Sequence, residues 1–425
     1  MSGTSVLDRH SGPAAPGAHD GASGTVGLTV YDSLEAIETE WRQFEQDADG
    51  TAFQTFDWLA TWCRVVGPLA HTRPAIVVGR SDEGRTLFIL PLAVTPGAVT
   101  RLTFLGSDLC DYNAPLLARD FWTHITPDRF QALWRDIRRQ LQAAHRYDLV
   151  QLSKLPELVG TQANPLLTLA AGLNPSNAYV ADLFGTWDQF YEAKRSAATR
   201  RRDRTKLKRL GEFGDVRFVS PCGHDEIVRT MDVLFEQKVR SLARMGAPNI
   251  FARPGWREFY TAVALNPRMA QSVHVSRLDA GSTFTAINLG LIFGKDYYHV
   301  LASHDDGEAS RFGPGVAHLR ELLKFSIERG LDRFDFTIGD ERYKREWSDR
   351  TIMLYDHVAP ASARGWASAA TVHGQRRLKR FIKQNEALWS LFSRARAALG
   401  MKSAAPASEE SAPESVQKSP PIAPT

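Results

Sequence analysis

Two tandem domains of mixed α/β (α+β) class, each a twisted mixed sheet flanked by helices, are predicted by three observations. The chain has 425 residues, more than one hydrophobic core usually spans. Its 43% hydrophobic and 24% charged content, with ten Trp, is that of a folded chain rather than a disordered one. The third is that one order of elements is written twice along it, which fixes architecture better than local propensity.

The first copy opens at 73–94, RPAIVVGRSDEGRTLFILPLAV: an apolar strand, a turn carrying Asp82 and Gly84, and a second strand. The second copy, SVHVSRLDAGSTFTAINLGLIF at 272–293, has the same layout with Asp279 and Gly281 in the turn. Each hairpin leads to another short apolar strand, 102–105 and 297–302. A helix follows in each. At 127–144 it carries Phe130, Leu133, Trp134, Ile137 and Leu141 at helical spacing; at 315–329 it carries Val316, Leu319, Leu322, Leu323 and Ile327. Both copies then return to a strand, RYDLVQL around Asp148 and DRFDFTI around Asp335. Helical segments at 34–47 and 56–66 precede the first copy, and others at 187–210 and 224–245 precede the second. The turn-rich stretch Asn174, Pro175, Ser176 and Asn177 marks a linker within 172–178. The expected organisation is therefore a disordered leader at 1–27, domains at 28–175 and 176–360, an amphipathic helix at 361–401 and a disordered tail at 402–425.

Composition narrows the function. A formal charge of +4 is small for this length and does not mark a nucleic-acid binder, so nucleic acid is not an expected partner. Cys63, Cys110 and Cys222 are far apart and include no CxxC pair, which argues against a disulfide framework and against a metal site. The leader lacks the apolar stretch of a secretory signal, and no run reaches the roughly 18 apolar residues of a membrane span. A cytoplasmic protein is expected. In the C-terminal helix, Leu378, Phe381, Ile382, Leu388, Trp389 and Phe392 lie opposite Arg376, Arg377, Lys379, Arg380 and Lys383. Such a helix either packs on the second domain or lies peripherally on an anionic inner-membrane surface, with Asn385 and Glu386 interrupting the apolar face.

The most informative segment runs from Ser303 to Trp347 and reads strand, Gly-rich loop, helix, strand. Gly313 and Gly315 before a helix let backbone N–H groups and the helix dipole face an anion such as a pyrophosphate. Pro314 suits the first helical turn, and Arg311 adds charge for a diphosphate or ribose phosphate. The corresponding loop of the first copy, 106–127, is longer and lacks such glycines, so one donor site is expected. The Arg-Phe-Gly-Pro-Gly loop, the Gly-Leu-Asp-Arg-Phe-Asp-Phe strand and the Gly-Asp-Glu-Arg-Tyr-Lys-x-x-Trp ending resemble the cellulose-biosynthesis CelD-like branch of GNAT-fold acetyltransferases, related to the FemABX peptidyltransferases. TAFQTFDWLATW at 51–62 and SAATRRRDRTKLKRL at 196–210 are similar to the same family. The resemblance spans 28–358. It implies two GNAT halves, acetyl-CoA or a longer acyl-CoA held at Arg311, Phe312, Gly313, Gly315 and Val316, no metal, and a nucleophilic small-molecule or glycan-precursor acceptor, usually an amine.

Acyl transfer from a thioester needs a base for the amine, a donor for the oxyanion and a proton for the leaving thiolate. Two clusters offer them. His304 and Asp305, with Asp306, end the strand beside the Gly-rich loop, and Asp305 is expected as general base with His304 as its substitute. Asp340, Glu341, Tyr343 and Lys344 follow the next strand; Tyr343 is expected to protonate a thiolate and Lys344 to stabilise an oxyanion or bind an acidic acceptor. The run Arg195, Arg200, Arg201, Arg202, Arg204, Lys206, Lys208 and Arg209 suits a solvated helix face, CoA phosphate or RNA, which keeps an aminoacyl-tRNA-dependent peptidyltransferase in view. A non-catalytic binding module of a polysaccharide-synthesis complex is the third reading. The reading favoured is an N-acyltransferase acting on an amino sugar or related precursor of envelope or exopolysaccharide.

Overall fold

The computed structural model describes residues 25–384. The described chain divides into two compact units, one of residues 25–178 and 351–373, the other of residues 179–350 and 374–384. In chain order the first unit contains β1 (Gly27–Tyr31), α1 (Glu38–Phe44), α2 (Phe56–Val65), β2 (Ile76–Arg80), β3 (Thr86–Leu90), β4 (Leu92–Thr95), β5 (Arg101–Phe104), α3 (Pro127–Ala144) and β6 (Leu149–Pro156). The second contains β7 (Ala178–Asp182), α4 (Trp187–Lys194), α5 (Ala197–Leu210), β8 (Val216–Val219), α6 (His224–Arg244), β9 (Val273–Ala280), β10 (Thr283–Phe293), β11 (Asp296–His304), α7 (Pro314–Glu328), β12 (Arg333–Ile338) and α8 (Arg342–Trp347). Then β13 (Leu354–Pro360) returns to the first unit, and α9 (Ala363–Gln384) ends the described chain.

Both repeated patterns form as hairpin, strand, helix, strand. In the first unit β2 and β3 pair antiparallel, and β5 runs parallel to β6 from Arg101↔Leu149. Between them α3 starts at the Thr126 cap, with Pro127 in its first turn, and buries Phe130, Leu133, Trp134, Ile137 and Leu141. In the second unit β9 and β10 pair antiparallel, and β11 runs parallel to β12 from Asp296↔Arg333. The strand order there is β8-β9-β10-β11-β12-β7. Leu319, Leu322 and Leu323 of α7 pack on Tyr297, Phe334 and Phe336 of the sheet, with Phe190, Tyr191 and Trp347 completing the cluster.

Three expected boundaries move. The helix expected at 187–210 is two: a capping box between Thr186 and Gln189 starts α4, Arg195 is extended, and Ser196 caps α5 through the Thr199 N–H. The linker shortens, because Ala171–Leu173 pairs with β13 while β7 already belongs to the second unit's sheet. The domain range ending at 360 also differs, since β13 sits between Ala171–Leu173 and β6 in the first unit's sheet. Gly27 lies in β1, and the rest of the expected leader up to residue 24 is outside the described residues, as is everything after residue 384, including the expected tail.

Polar groups run through the second unit's core. The His274 ring nitrogens lie 3.1 Å from Ser220 Oγ and 3.0 Å from Tyr297 Oη, and Asn288 donates to the same Tyr297 oxygen at 2.8 Å. His318 Nε2 pairs with Ser276 Oγ at 3.0 Å. Burial, helped by the Arg329 charge, pushes His274 down to about 4; burial and His274 push His318 down to about 3. Both rings are neutral when folded at pH 6, whereas an unfolded histidine begins to protonate near 6.5. The unfolded state then binds more protons, so stability is full above about 6.5 and falls by about 1.4 kcal/mol per pH unit for each ring as the pH drops toward 4. Urea unfolding at a series of pH values from neutral to acid should show this decline; a flat profile would mean that these rings do not stay neutral in the fold.

Candidate active site

The β11–β12 ladder stops after Tyr298↔Asp335, and the two strands then part. Several features hold them apart. On β11 the register against β10 slips between Leu289 and Gly290, leaving Val300 with no residue opposite, a bulge of the kind that re-aims a strand. On β12, Thr337 has φ 58°, a left-handed backbone that costs a β-branched residue about 1–3 kcal/mol. That conformation is held from both sides: Asp335 Oδ1 accepts the Thr337 N–H at 2.7 Å, and Thr337 Oγ1 donates to the His299 carbonyl at 3.3 Å. Lys238 of α6 donates to the Ala302 carbonyl at 3.0 Å. The result is a wedge at the carboxyl ends of two parallel strands, where α/β sheets bind ligands.

The start of α7 faces this wedge. Gly313 is left-handed at φ 66°, and its carbonyl accepts both the Val316 and Ala317 N–H groups at 3.1 Å. Among the described residues the Gly315 N–H has no backbone acceptor. His304, exposed at the end of β11, lies against this glycine; a Cβ at Gly315 would sit 3.4 Å from its ring. Lys206 of α5 reaches the same place, its Nζ 3.9 Å from where a Cβ on Gly313 would be. Arg311 is exposed with its guanidinium over the Phe312 ring, and Val316 is exposed one turn in.

The basic run divides by role. Arg195 pairs with Glu346 at 3.2 Å and lies over the Trp347 ring, Arg200 pairs with Glu192 at 2.7 Å, and Arg209 with Glu212 at 3.2 Å. Arg201, Arg202, Arg204, Lys206 and Lys208 are exposed with no ion pair among the described residues.

The expected catalytic residues are brought to the wedge with different freedoms. The Asp305 carboxylate accepts the Gly307 N–H at 2.9 Å and faces Arg240 at 3.4 Å, while Asp306 binds Arg240 at 2.9 Å and Arg244 at 3.5 Å. Burial works against the Asp306 charge, but the Arg240 hydrogen bond and both guanidinium charges hold its carboxyl below the usual range. Asp340 and Glu341 are exposed after Gly339, and Tyr179 donates to Asp340 at 3.5 Å. Tyr343 packs on Phe336 and His299; burial, then the Glu341 charge, raises its phenol, so it stays protonated. Lys344 is buried, donates to the Ile338 carbonyl at 2.8 Å and pairs with Glu341 at 3.3 Å. Its ammonium is thereby committed to the turn rather than pointed at an acceptor. His299, Thr337 and Lys238 lay outside the sequence expectation; Asp335 was seen only as a strand residue. Burial, with the Lys344, His318 and Lys238 charges, keeps His299 neutral far below the ordinary histidine range. The one visible signal is polar residues within apolar strands, His299 in His-Val-Leu-Ala-Ser-His and, at alternate positions, Asp335 and Thr337 in Phe-Asp-Phe-Thr-Ile.

The first unit has the same parting strands. Its β5–β6 ladder is recorded at Arg101↔Leu149 and Leu102↔Val150, and Lys154 of β6 is left-handed at φ 59°. Lys154 Nζ donates to the Ser107 and Cys110 carbonyls at 3.2 and 2.6 Å, and Asn113 bonds the Ser153 and Lys154 carbonyls at 2.9 and 3.1 Å. The 106–113 segment therefore meets the end of β6 where the ladder with β5 has stopped. Among the described residues there is no cluster of His, Cys, Asp and Glu able to hold a metal, and no helix long and apolar enough to cross a membrane.

Comparison with known proteins agrees with this geometry. Residues 197–345, from α5 to α8, match the family described as an acetyltransferase (GNAT) domain. This places in the second unit the acyltransferase domain of an enzyme of the GNAT superfamily. The fold as a whole is two GNAT-like domains in tandem. FemX aligns with 78% of this chain and 97% of its own at 10% identity and TM-score 0.53. A conserved protein of unknown function from Bacteroides thetaiotaomicron VPI-5482 aligns with 78% and 99%, at 13% identity and TM-score 0.50. At such identities the likeness is one of fold. No curated relative matches the sequence.

Lys344→Ala would leave the Ile338 carbonyl without its buried donor, at a cost of about 1–3 kcal/mol. Thermal unfolding should show that loss. A Lys344→Ala protein as stable as the parent would return the ammonium to the acceptor-binding role expected from sequence.

Proposed function

We propose that the second unit transfers the acyl group of acetyl-CoA or a longer acyl-CoA to an amine-bearing precursor, an amino sugar of envelope or exopolysaccharide being the acceptor class favoured. The observation that carries the donor assignment is the wedge at the ends of β11 and β12 opening beside the α7 start, where the Gly315 N–H, Lys206 and Arg311 gather. This set fits a diphosphate ester: two cations, a backbone N–H and a helix dipole at one end, and the parting strand ends at the other. The reading places the reaction in the cytoplasm, where acyl-CoA is made.

In this reading the amine nitrogen attacks the thioester carbonyl, the C–N bond forms, the C–S bond breaks, and the amine proton must leave. Asp305 is engaged by Gly307 and Arg240, so the base role passes to His304. His304 Nδ1 lies 3.1 Å from the Asp305 carbonyl, which only accepts; Nδ1 therefore carries the hydrogen and the Nε2 lone pair is available for the amine proton. Tyr343, protonated by its burial, supplies the thiolate's proton. Lys344, Thr337 and Asp335 are positioning residues that keep the strands apart. The exposed cations of α5 keep an aminoacyl-tRNA donor as the second reading.

Acyl-CoA should raise the melting temperature, because a ligand bound by the native state alone stabilises it by about 2.7 kcal/mol at a hundredfold excess over Kd. Gly315→Asp, which puts a negative charge at the α7 start and crowds His304, should remove the shift. A folded protein that ignores a panel of acyl-CoAs yet retains aminoacyl-tRNA would reassign the donor. His304→Ala should lower kcat by roughly 100- to 10,000-fold with acyl-CoA affinity kept, and Asp305→Asn far less. The reverse ranking in steady-state kinetics would restore Asp305 as the base.

A further inference from the structure

One surface stands apart from the acyl-transfer chemistry. Helix α9 is fixed by one side only. A Cβ at Gly365 would lie 1.7 Å from the Asp148 carbonyl, so the helix backbone presses directly on the start of β6. Ala369 is buried and Val372 packs with it against Leu149 and Val358. On the other side Trp366 is 70% exposed, Leu378 59% and Phe381 61%. At 100° per residue these three fall within about a third of the helix circumference. Ala367, Ala370 and Gly374, all exposed, share that arc, and exposed Arg377 lies in it between Trp366 and Phe381, so a cation stands beside the apolar groups. Large aromatic and aliphatic side chains left in water along one arc mark a surface that something else covers.

The charge of the same helix says what. Between Ala363 and Gln384 the sequence has six Lys and Arg residues, Arg364, Arg376, Arg377, Lys379, Arg380 and Lys383, and no Asp or Glu. A second copy of the helix would bring like charges together, and a neutral protein groove would leave them unpaired. A sheet of negative headgroups over an apolar interior satisfies both features at once: Trp and Phe settle at the boundary while Lys and Arg stay at headgroup level. With about 1 kcal/mol from each basic residue near an anionic surface, the charges hold the helix there and the apolar arc sets its depth. The helix does not cross: no described helix is long and apolar enough to do so.

We propose that α9 lies on an anionic lipid surface and docks the enzyme there through Trp366, Leu378 and Phe381. The docking is independent of the donor and acceptor assigned above. The full chain should float with vesicles of equal parts phosphatidylcholine and phosphatidylglycerol, stay behind with phosphatidylcholine alone, and be released by high salt. Trp366→Ser with Phe381→Ser should lower partitioning at least tenfold while the melting temperature is unchanged. Should that variant melt lower, brominated-lipid quenching of the unaltered protein against Trp366→Phe provides the second readout, and Trp366 fluorescence should be quenched on the mixed vesicles only. Three results would overturn the proposal: no flotation at any composition, flotation unaltered by the double substitution, or a dimer in sedimentation that Trp366→Ser converts to monomer. The last would make a second copy the occupant.

Discussion

When two parallel strands stop pairing, the peptide groups they turn toward each other need other partners. In the second unit that happens after Tyr298 and Asp335, and side chains take over where the ladder ends: Thr337 serves the His299 carbonyl, Lys238 that of Ala302, Lys344 that of Ile338. Each of these is itself held in place. Thr337 keeps an unfavourable backbone because Asp335 grips its N–H, and Lys344 is held in a buried position by Glu341 and the carbonyl it serves. Such an arrangement is stable only if complete, since a buried polar group that loses its partner bears the full cost of having left water. The parting of the strands is therefore held by side chains of the chain itself.

The first unit shows the same plan with a different segment at the strand ends. Lys154 stands in the left-handed region as Thr337 does, and its N–H is held by Asp356 much as the Thr337 N–H is held by Asp335. Here, however, carbonyls of the 106–113 segment occupy the lysine ammonium. Burial raises the Cys110 thiol to about 12, so this cysteine is an inert packing group. The two units share the left-handed strand residue held by an aspartate, and differ in the segment that meets it.

Much of this was legible in the sequence, and the reasons are local. The hairpins, α3 and α7 announce themselves by period, caps and proline placement, which are properties of neighbouring residues. The turn at Gly313 and the helix start at Pro314 are likewise local, a left-handed glycine followed by a proline in the first turn. What stayed hidden depends on partners distant along the chain. Sequence gives no sign that Lys344 donates to the Ile338 carbonyl, or that the Asp305 carboxylate accepts the Gly307 N–H and faces Arg240. Thr337 gives no sign of its backbone angle, because a threonine in an apolar strand is ordinary. The extended Arg195, the membership of β13 in the first sheet and the contact of Lys206 with Gly313 likewise arise from tertiary structure.

The place of β13 has a consequence for how the protein is born. The strand lies beside β6, second from one edge of the first unit's principal sheet, yet it is encoded after Tyr179–Arg350 of the second unit. A ribosome that has made every other strand of that sheet must still produce nearly two hundred residues before the missing one emerges, at about 5–20 residues per second. Until then β6 presents an open edge and a half-covered apolar face, the kind of surface that chaperones bind. The first unit's sheet is thus closed only after Tyr179–Arg350 of its neighbour have been made.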